Sequence, residues 1–210
     1  MACEAATAVG RFGCRVRHDE GMTKSAASDA RSVPELVAAM AGGSRPRFVF
    51  FWGHRPKRPG VVDASCFSQW WPARFEAAGE SFGSAEHYMM WRKAVLFGDA
   101  PKAAAIVKAA SPAQAKALGR AVAGFDEAVW AEHRWGIVVD GSIAKFASNP
   151  ALLGYLVATN DRVLVEASPR DRIWGIGLAA DSEFAARPAK WRGLNLLGFA
   201  LMEARARLRN

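Results

Sequence analysis

Cysteine is scarce in this chain, 3 in 210 residues, and Cys3, Cys14 and Cys66 stand at no metal-ligand spacing with His18, His54, His87 or His133. Neither a disulfide framework nor a structural zinc site is expected, and a reduced, intracellular, cytoplasmic setting is. Long apolar runs are missing too, so no membrane-spanning segment and no membrane partner are expected. The first thirty residues mix Arg11, Arg15, Arg17 and Lys24 with Glu4, Asp19, Glu20 and Asp29 and lack an apolar core, which makes a poor signal peptide. A Walker loop and a Ser/His/Asp order are also lacking, and no cofactor or metal is expected.

What is present is a chain that is 51% hydrophobic and 23% charged, enough to bury one sizeable core. Residues 1–32 are rich in Ala, Gly, Ser and Arg without periodicity and read as a disordered or loosely attached extension before one domain over 33–210. The net charge of +8 is uneven, with 10 Lys/Arg against 5 Asp/Glu in residues 1–60. Such an excess attracts phosphates, nucleic acid or anionic nucleotides, and it serves solubility equally well.

The chain is organised around Ser84-Ala85-Glu86-His87-Tyr88-Met89-Met90-Trp91-Arg92-Lys93-Ala94. Ser84 can cap a helix beginning at Ala85. At about 100° per residue, Glu86, Met89, Met90, Lys93 and Phe97 fall on one stripe, with an acid and an amine two turns apart on an apolar face. Burying either group unpartnered costs several kcal/mol, so the stripe is either a structural ion-pair site or the floor of a pocket.

Around this helix, Pro34 can open a short helix through Met40, and Arg47–Trp52 reads as a strand leading into the basic loop Gly53–Gly60. A strand-like pair is expected at Ser65–Trp70 and Phe75–Ala77, turning at Ala78-Gly79-Glu80. Further helices are expected after Asp99 and Ser111, from Asp126 to about Arg134, from Pro150, and from Asn195 as a cap. Residues 135–146 are ambiguous between strand and helix. Arg162–Ala167 alternates as a strand that delivers Ser168–Gly177 into a loop. Helices outnumber strands, so the class is α+β, helix-dominated, with a small sheet.

Chemistry could come from Glu86 and Lys93, from Trp130, and from Asp171 with Trp174. A buried carboxylate can deprotonate water or protonate a leaving base. A tryptophan face stacks on a ring, and a lysine in a dry pocket can attack an aldehyde carbon. Each has a plainer reading as core or turn former.

The residues Phe51-Trp52-Gly53-His54, Ser84–Met90 with Lys93-Ala94 and Phe97-Gly98-Asp99, Leu118-Gly119-Arg120, Phe125-Asp126 with Trp130, Lys145-Phe146, Asn149-Pro150, Leu164–Pro169 with Asp171, Ile173–Gly177 and Asn195–Gly198 resemble the NADAR family, named for NAD and ADP-ribose. Gln69 departs from it, since the family usually has Asn there. The resemblance implies hydrolysis of an N-glycosidic bond between a ribose-like sugar and an amine-bearing ring. The substrate would be ADP-ribosylated guanine in nucleic acid or a phosphorylated riboflavin precursor; a non-catalytic ADP-ribose reader is the third possibility. By resemblance Glu86 is the general acid/base, Lys93 the nucleophile and Asp171 a second carboxylate orienting the sugar. Trp130 and Trp174 frame the ring, and Gly53, His54, Tyr88, Arg120, Gly175 and Asn195 are further substrate-binding positions.

Overall fold

The structure, a computed structural model, describes residues 26–209. Its centre is helix α2 (Ala85–Leu96), which packs against α3 (Ala100–Val107), α4 (Pro112–Arg120) and α5 (Glu127–Ala147). On the far side α5 meets α7 (Leu196–Leu208) and α6 (Pro150–Val157). α1 (Val33–Ala41) opens on Pro34 as expected, capped by Ser32. Strand β1 (Phe48–Phe51) runs parallel to β4 (Val163–Glu166), pairing Phe48 with Val163 and Phe51 with Glu166, and helices α2 to α6 form the crossover between them. Val163, Leu164 and Val165 are all fully buried, so the strand expected to alternate is instead enclosed on both faces. The helix-dominated α+β expectation holds.

The second strand pair differs from the sequence expectation. Residues 64–67 form a 3-10 turn, and the hairpin is β2 (Phe75–Ala77) with β3 (Glu80–Phe82), turning on Ala78 and Gly79 in left-handed backbone. The cause is Lys145 on the buried side of α5, whose ammonium donates to Cys66 O at 2.7 Å and Ser68 O at 2.9 Å. Those carbonyls are satisfied by a side chain, so the segment needs no ladder. The same Lys145 lies in the ambiguous stretch 135–146, which is helix throughout, so α5 runs to Ala147 rather than to Arg134.

Two expected caps are used otherwise. His87 Nε2 lies 3.1 Å from Ala109 O, so that nitrogen carries the proton and Nδ1 accepts from Ser84 Oγ at 2.7 Å; the Ser84 side chain caps no backbone N–H. Asn195 is buried in left-handed backbone and bonds β4 instead of its own helix. Of the expected N-terminal extension, residues 1–25 lie outside the described residues; Ala27 and Ala30 are buried, and Arg31 pairs with Glu203, which also holds Arg207 one helical turn on. No described helix is long and apolar enough to cross a membrane.

Two glycines in α5 separate intrinsic propensity from packing. A Cβ on Gly136 meets nothing within 4 Å, whereas one on Gly141 would sit 2.5 Å from Cδ1 of Tyr88, a ring held by Phe75, Phe82 and Trp91. Gly136→Ala is expected to raise stability by about 0.5–1 kcal/mol. Gly141→Ala is expected to lower it by roughly 1–3 kcal/mol, because the blocked ring outweighs the propensity gain. Urea unfolding of the two variants tests this, and shifts of the same sign would contradict it.

Candidate active site

The α2 stripe opens onto a cavity of about 180 Å³, with Glu86, Met89, Met90 and Lys93 along one wall. Six other segments complete it. Ser68, Gln69 and Trp70 come from the segment that Lys145 holds, Lys116 and Arg120 from α4, and Trp130 from α5. Glu166 stands at the carboxyl end of β4, and Asp171 and Trp174 lie in the loop beyond it, with Leu197 at the start of α7. A cavity at the carboxyl end of a parallel strand is where open α/β sheets place ligands.

Three carboxyl groups face this space. Glu86 is buried, its N–H fixed on Gln69 O at 2.9 Å, and its Oε1 finds no hydrogen-bond partner among the described residues. Burial pushes its carboxyl up to about 7; the Lys116 ammonium and the Trp70 indole N–H pull it back, while the Asp171 charge adds to the rise. Glu166 is pushed up to about 8, first by burial and then by the charges of Asp171 and Glu86, against the pull of Lys116. Its Oε2 is also unpartnered among the described residues. Asp171 differs, because its Oδ1 accepts from the Ile173 N–H at 2.8 Å and the Trp174 N–H at 2.7 Å, so one oxygen shapes the loop that presents Trp174.

The amine on the α2 wall, Lys93, is subject to opposing effects. Lys93 Nζ lies 3.7 Å from the Phe125 ring centroid and 5.8 Å from that of Trp130. Burial lowers its pKa, and the Glu127 charge works the other way. Among the described residues no group of three or more His, Cys, Asp and Glu is placed to hold a metal ion.

Residues 50–209 match the family model described as the NADAR domain. The chain belongs to the NADAR family. An N-glycosidase of Acanthamoeba polyphaga mimivirus is 42% identical over 164 residues, covering 76% of this chain and 95% of that protein. An N-glycosidase of Nostoc punctiforme is 32% identical over 145 residues, covering 69% of this chain and 86% of that protein. The NMR structure of the E. coli protein YbiA matches with a TM-score of 0.62 at 25% identity, over 79% of this chain and 86% of that one.

In this NADAR chain the cavity brings together Glu86, Lys93, Arg120, Trp130, Asp171 and Trp174. The other site residues expected from the sequence lie off it. Gly53 and His54 sit in the loop after β1, where His54 lines a different cleft, 5.7 Å ring to ring from Trp70. Tyr88 packs into the aromatic core on the other side of α2, against Phe75, Phe82 and Trp91. A Cβ on Gly175 would lie 2.8 Å from Glu166 O, so glycine there lets the loop close over the strand end. Asn195 accepts from the Glu166 N–H at 3.0 Å and donates to Leu164 O at 3.0 Å, which fixes the strand end that carries Glu166.

Glu166 and Lys116 are the residues that sequence reasoning did not single out. Glu166 had a signal, an acid closing the apolar run Val163-Leu164-Val165, whereas Lys116 looks like any cation on a polar helix face.

The two raised carboxyls set a sign for stability against pH. Glu86 and Glu166 keep their protons in the folded state at pH values where an unfolded chain, at 4.5, has lost them. The stability these two groups contribute is therefore full below about pH 4.5 and lost as pH climbs towards 7 and 8, at up to about 1.4 kcal/mol per pH unit for each extra proton held. Urea midpoints taken from pH 5 to pH 7, below the range in which the buried Lys145 works in the opposite sense, should fall, and should fall less steeply in Glu86→Gln and in Glu166→Gln. A rise across that range in the parent and both variants alike would refute the assignment.

Proposed function

We propose that this chain removes ADP-ribose from the exocyclic amine of ADP-ribosylated guanine in nucleic acid. That it is a hydrolase acting on N-glycosyl bonds follows from its family and from the N-glycosidases among its relatives. The observation that carries the finer reading is the joint presence, in one small cavity, of two proton-holding carboxyls, a partly desolvated amine and two tryptophans. Lys116 and Arg120 at the same cavity supply counter-charge for a diphosphate. Met89 and Leu197 give the apolar surface against which a sugar and ring can dry.

The chemistry suits an exocyclic nitrogen. Its lone pair forms a C1=N bond as the ring oxygen departs with a proton from Glu86. Lys93, as free amine, adds to C1 and gives the proton it then carries in excess to the Glu86 carboxylate left by the first step. The bond from C1 to the guanine nitrogen then breaks, its electron pair and a proton from Glu166 going to that nitrogen, so guanine leaves as the neutral amine. Water adds to the lysine imine, the amine is released, and the sugar recloses. Asp171, with one oxygen held by the loop, offers the other to a sugar hydroxyl, and Trp130 and Trp174 flank the ring.

A second reading keeps the chemistry and changes the substrate. A space of about 180 Å³ holds a ribose and part of a ring, which also suits a phosphorylated riboflavin precursor. A non-catalytic reader is disfavoured by two buried, unpartnered carboxyl oxygens, which cost stability and serve no binding of a neutral sugar that a simpler donor could not provide.

The decisive experiment offers ADP-ribosylated oligonucleotide and riboflavin precursor separately to the parent and its variants. Glu86→Gln is expected to lower kcat about 10²- to 10⁴-fold on the true substrate, with a smaller change in KM. Borohydride added during turnover is expected to trap the sugar on Lys93, located by peptide mapping, and to trap nothing in Lys93→Ala. An active enzyme that yields no adduct rules out the covalent route.

A further inference from the structure

Beside the catalytic cavity lies a second, larger cleft of about 530 Å³, walled by His54, Arg55, Val61, Val62, Trp71 and Pro72. The two are joined through one step of chain: Trp70 lines the first and Trp71 the second, with the His54 ring 5.7 Å from Trp70. The cleft combines two flat rings, an apolar floor and a cationic rim. Arg55, Lys57 and Arg58 are all exposed, and none forms an ion pair among the described residues. Asp63, the acid of this segment, has both oxygens turned to its own chain, taking the Lys57 N–H at 2.8 Å and the Ser65 N–H at 2.9 Å. At the end of β1, Trp52 stands 59% exposed, a large ring left in solvent beside these cations.

Cations also stand at the other end of the Trp70–Trp71 step. Lys116 Nζ lies 5.7 Å from the Trp70 ring, so Arg55 at the cleft and Lys116 and Arg120 at the catalytic cavity share that step, and Lys57 and Arg58 follow Arg55 in the same exposed loop. Lys116 and Arg120 suffice for a diphosphate held at that cavity, which leaves Arg55, Lys57, Arg58 and the aromatic cleft without an assignment. Rings for stacking, interleaved with cations spaced along a groove, are the surface that binds a single nucleic-acid strand.

We propose that this cleft receives a nucleobase adjoining the modified guanine, with the phosphates of a single polynucleotide strand running along Arg55, Lys57 and Arg58. The inference rests on the reading under Proposed function and deepens it: the substrate is a strand, and the cleft is where the strand is held. The base stacks on Trp71 and His54, and Val61 and Val62 close its edge. Because stacking and phosphate contact are indifferent to base identity, the neighbouring nucleotide is held without sequence preference.

Two variants and two readouts test this. The first variant, Arg55→Ala with Lys57→Ala and Arg58→Ala, changes only exposed side chains; the second is Trp71→Ala. Anisotropy of a fluorescein-labelled, unmodified single-stranded oligodeoxynucleotide is expected to show Kd at least 10-fold weaker for the triple variant. Its log Kd should also depend less on log salt, the slope shrinking by about 2 for three lost contacts to a single strand. Trp71→Ala should weaken binding by roughly 5- to 100-fold, the worth of one stacked base, with the salt slope unchanged. In turnover, both variants should lose kcat/KM on an ADP-ribosylated oligonucleotide and keep it on the free ADP-ribosylated guanine nucleotide.

Binding that is unchanged in both variants, or absent in the parent, overturns the proposal. Equal losses on oligonucleotide and free nucleotide also overturn it, because the cleft then holds the adenosine end of the sugar nucleotide. If the parent turns over neither substrate, the reading of the reaction fails, while the anisotropy still decides whether the cleft binds a strand.

Discussion

Three carboxyl groups, Glu86, Glu166 and Asp171, share one small cavity, and they cannot all be charged there. Their mutual repulsion adds to the cost of burial, so two of them hold protons near neutral pH while Asp171 stays engaged with its own loop. Lys116 and Arg120, from α4, set cations at the edge of the cavity that gathers these three carboxyl groups. Both cations pull the Glu86 carboxyl back down, so it lies within reach of a proton exchange at physiological pH instead of being locked neutral.

Holding such groups in place takes buried polar contacts elsewhere. Lys145, wholly enclosed, spends its ammonium on Cys66 O and Ser68 O, and burial pushes it down to about 7. That clamp sets the course of the segment from which Trp70 and Gln69 reach Glu86. Asn195 does the corresponding work at the end of β4, bonding the Glu166 N–H and Leu164 O, and Gly198 fits where any Cβ would collide with that same Leu164 O. Two residues away from the cavity thus fix its wall, a lysine for the 66–70 segment and an asparagine for the strand end, while Asp171 within it shapes the Trp174 loop.

How much of this was legible in the amino-acid sequence varies with the range of the forces involved. The Glu86–Lys93 stripe is local, a matter of helical period, and the structure turns both side chains to one cavity. Ser111 and Asp126 mark helix starts by accepting from backbone N–H groups three residues on, Pro34 by its fixed φ in the first turn, and each does so here. Residues 65–70 look like a strand because nothing nearby in the chain shows that Lys145, 77 residues from Ser68, will take their carbonyls. Tyr88 and Asn195 were expected at the ligand because they stand in motifs shared with the family, yet their bonds serve the core and the strand end. Glu166 reads as the last residue of an apolar strand until the cavity beside it is known. Residues that shape a site from behind leave the same mark on a motif as residues that line it.

The amine is where these constraints meet. A cation over the Phe125 ring, 3.7 Å from its centroid, is stabilised by about 0.5–2 kcal/mol, and the Glu127 charge adds to that. Burial acts in the opposite sense and exceeds the pull of Glu127, so the Lys93 pKa is lowered from its ordinary value with the cavity still open to water. In the reaction proposed above, a sugar entering between Met89, Trp130 and Trp174 removes that water and strengthens the same effect, so the free amine is favoured as the substrate carbon arrives. Burial is the first cause of the raised carboxyls of Glu86 and Glu166 and of the lowered amine of Lys93, so one desolvated cavity supplies both the protons and the free amine that the proposed reaction needs.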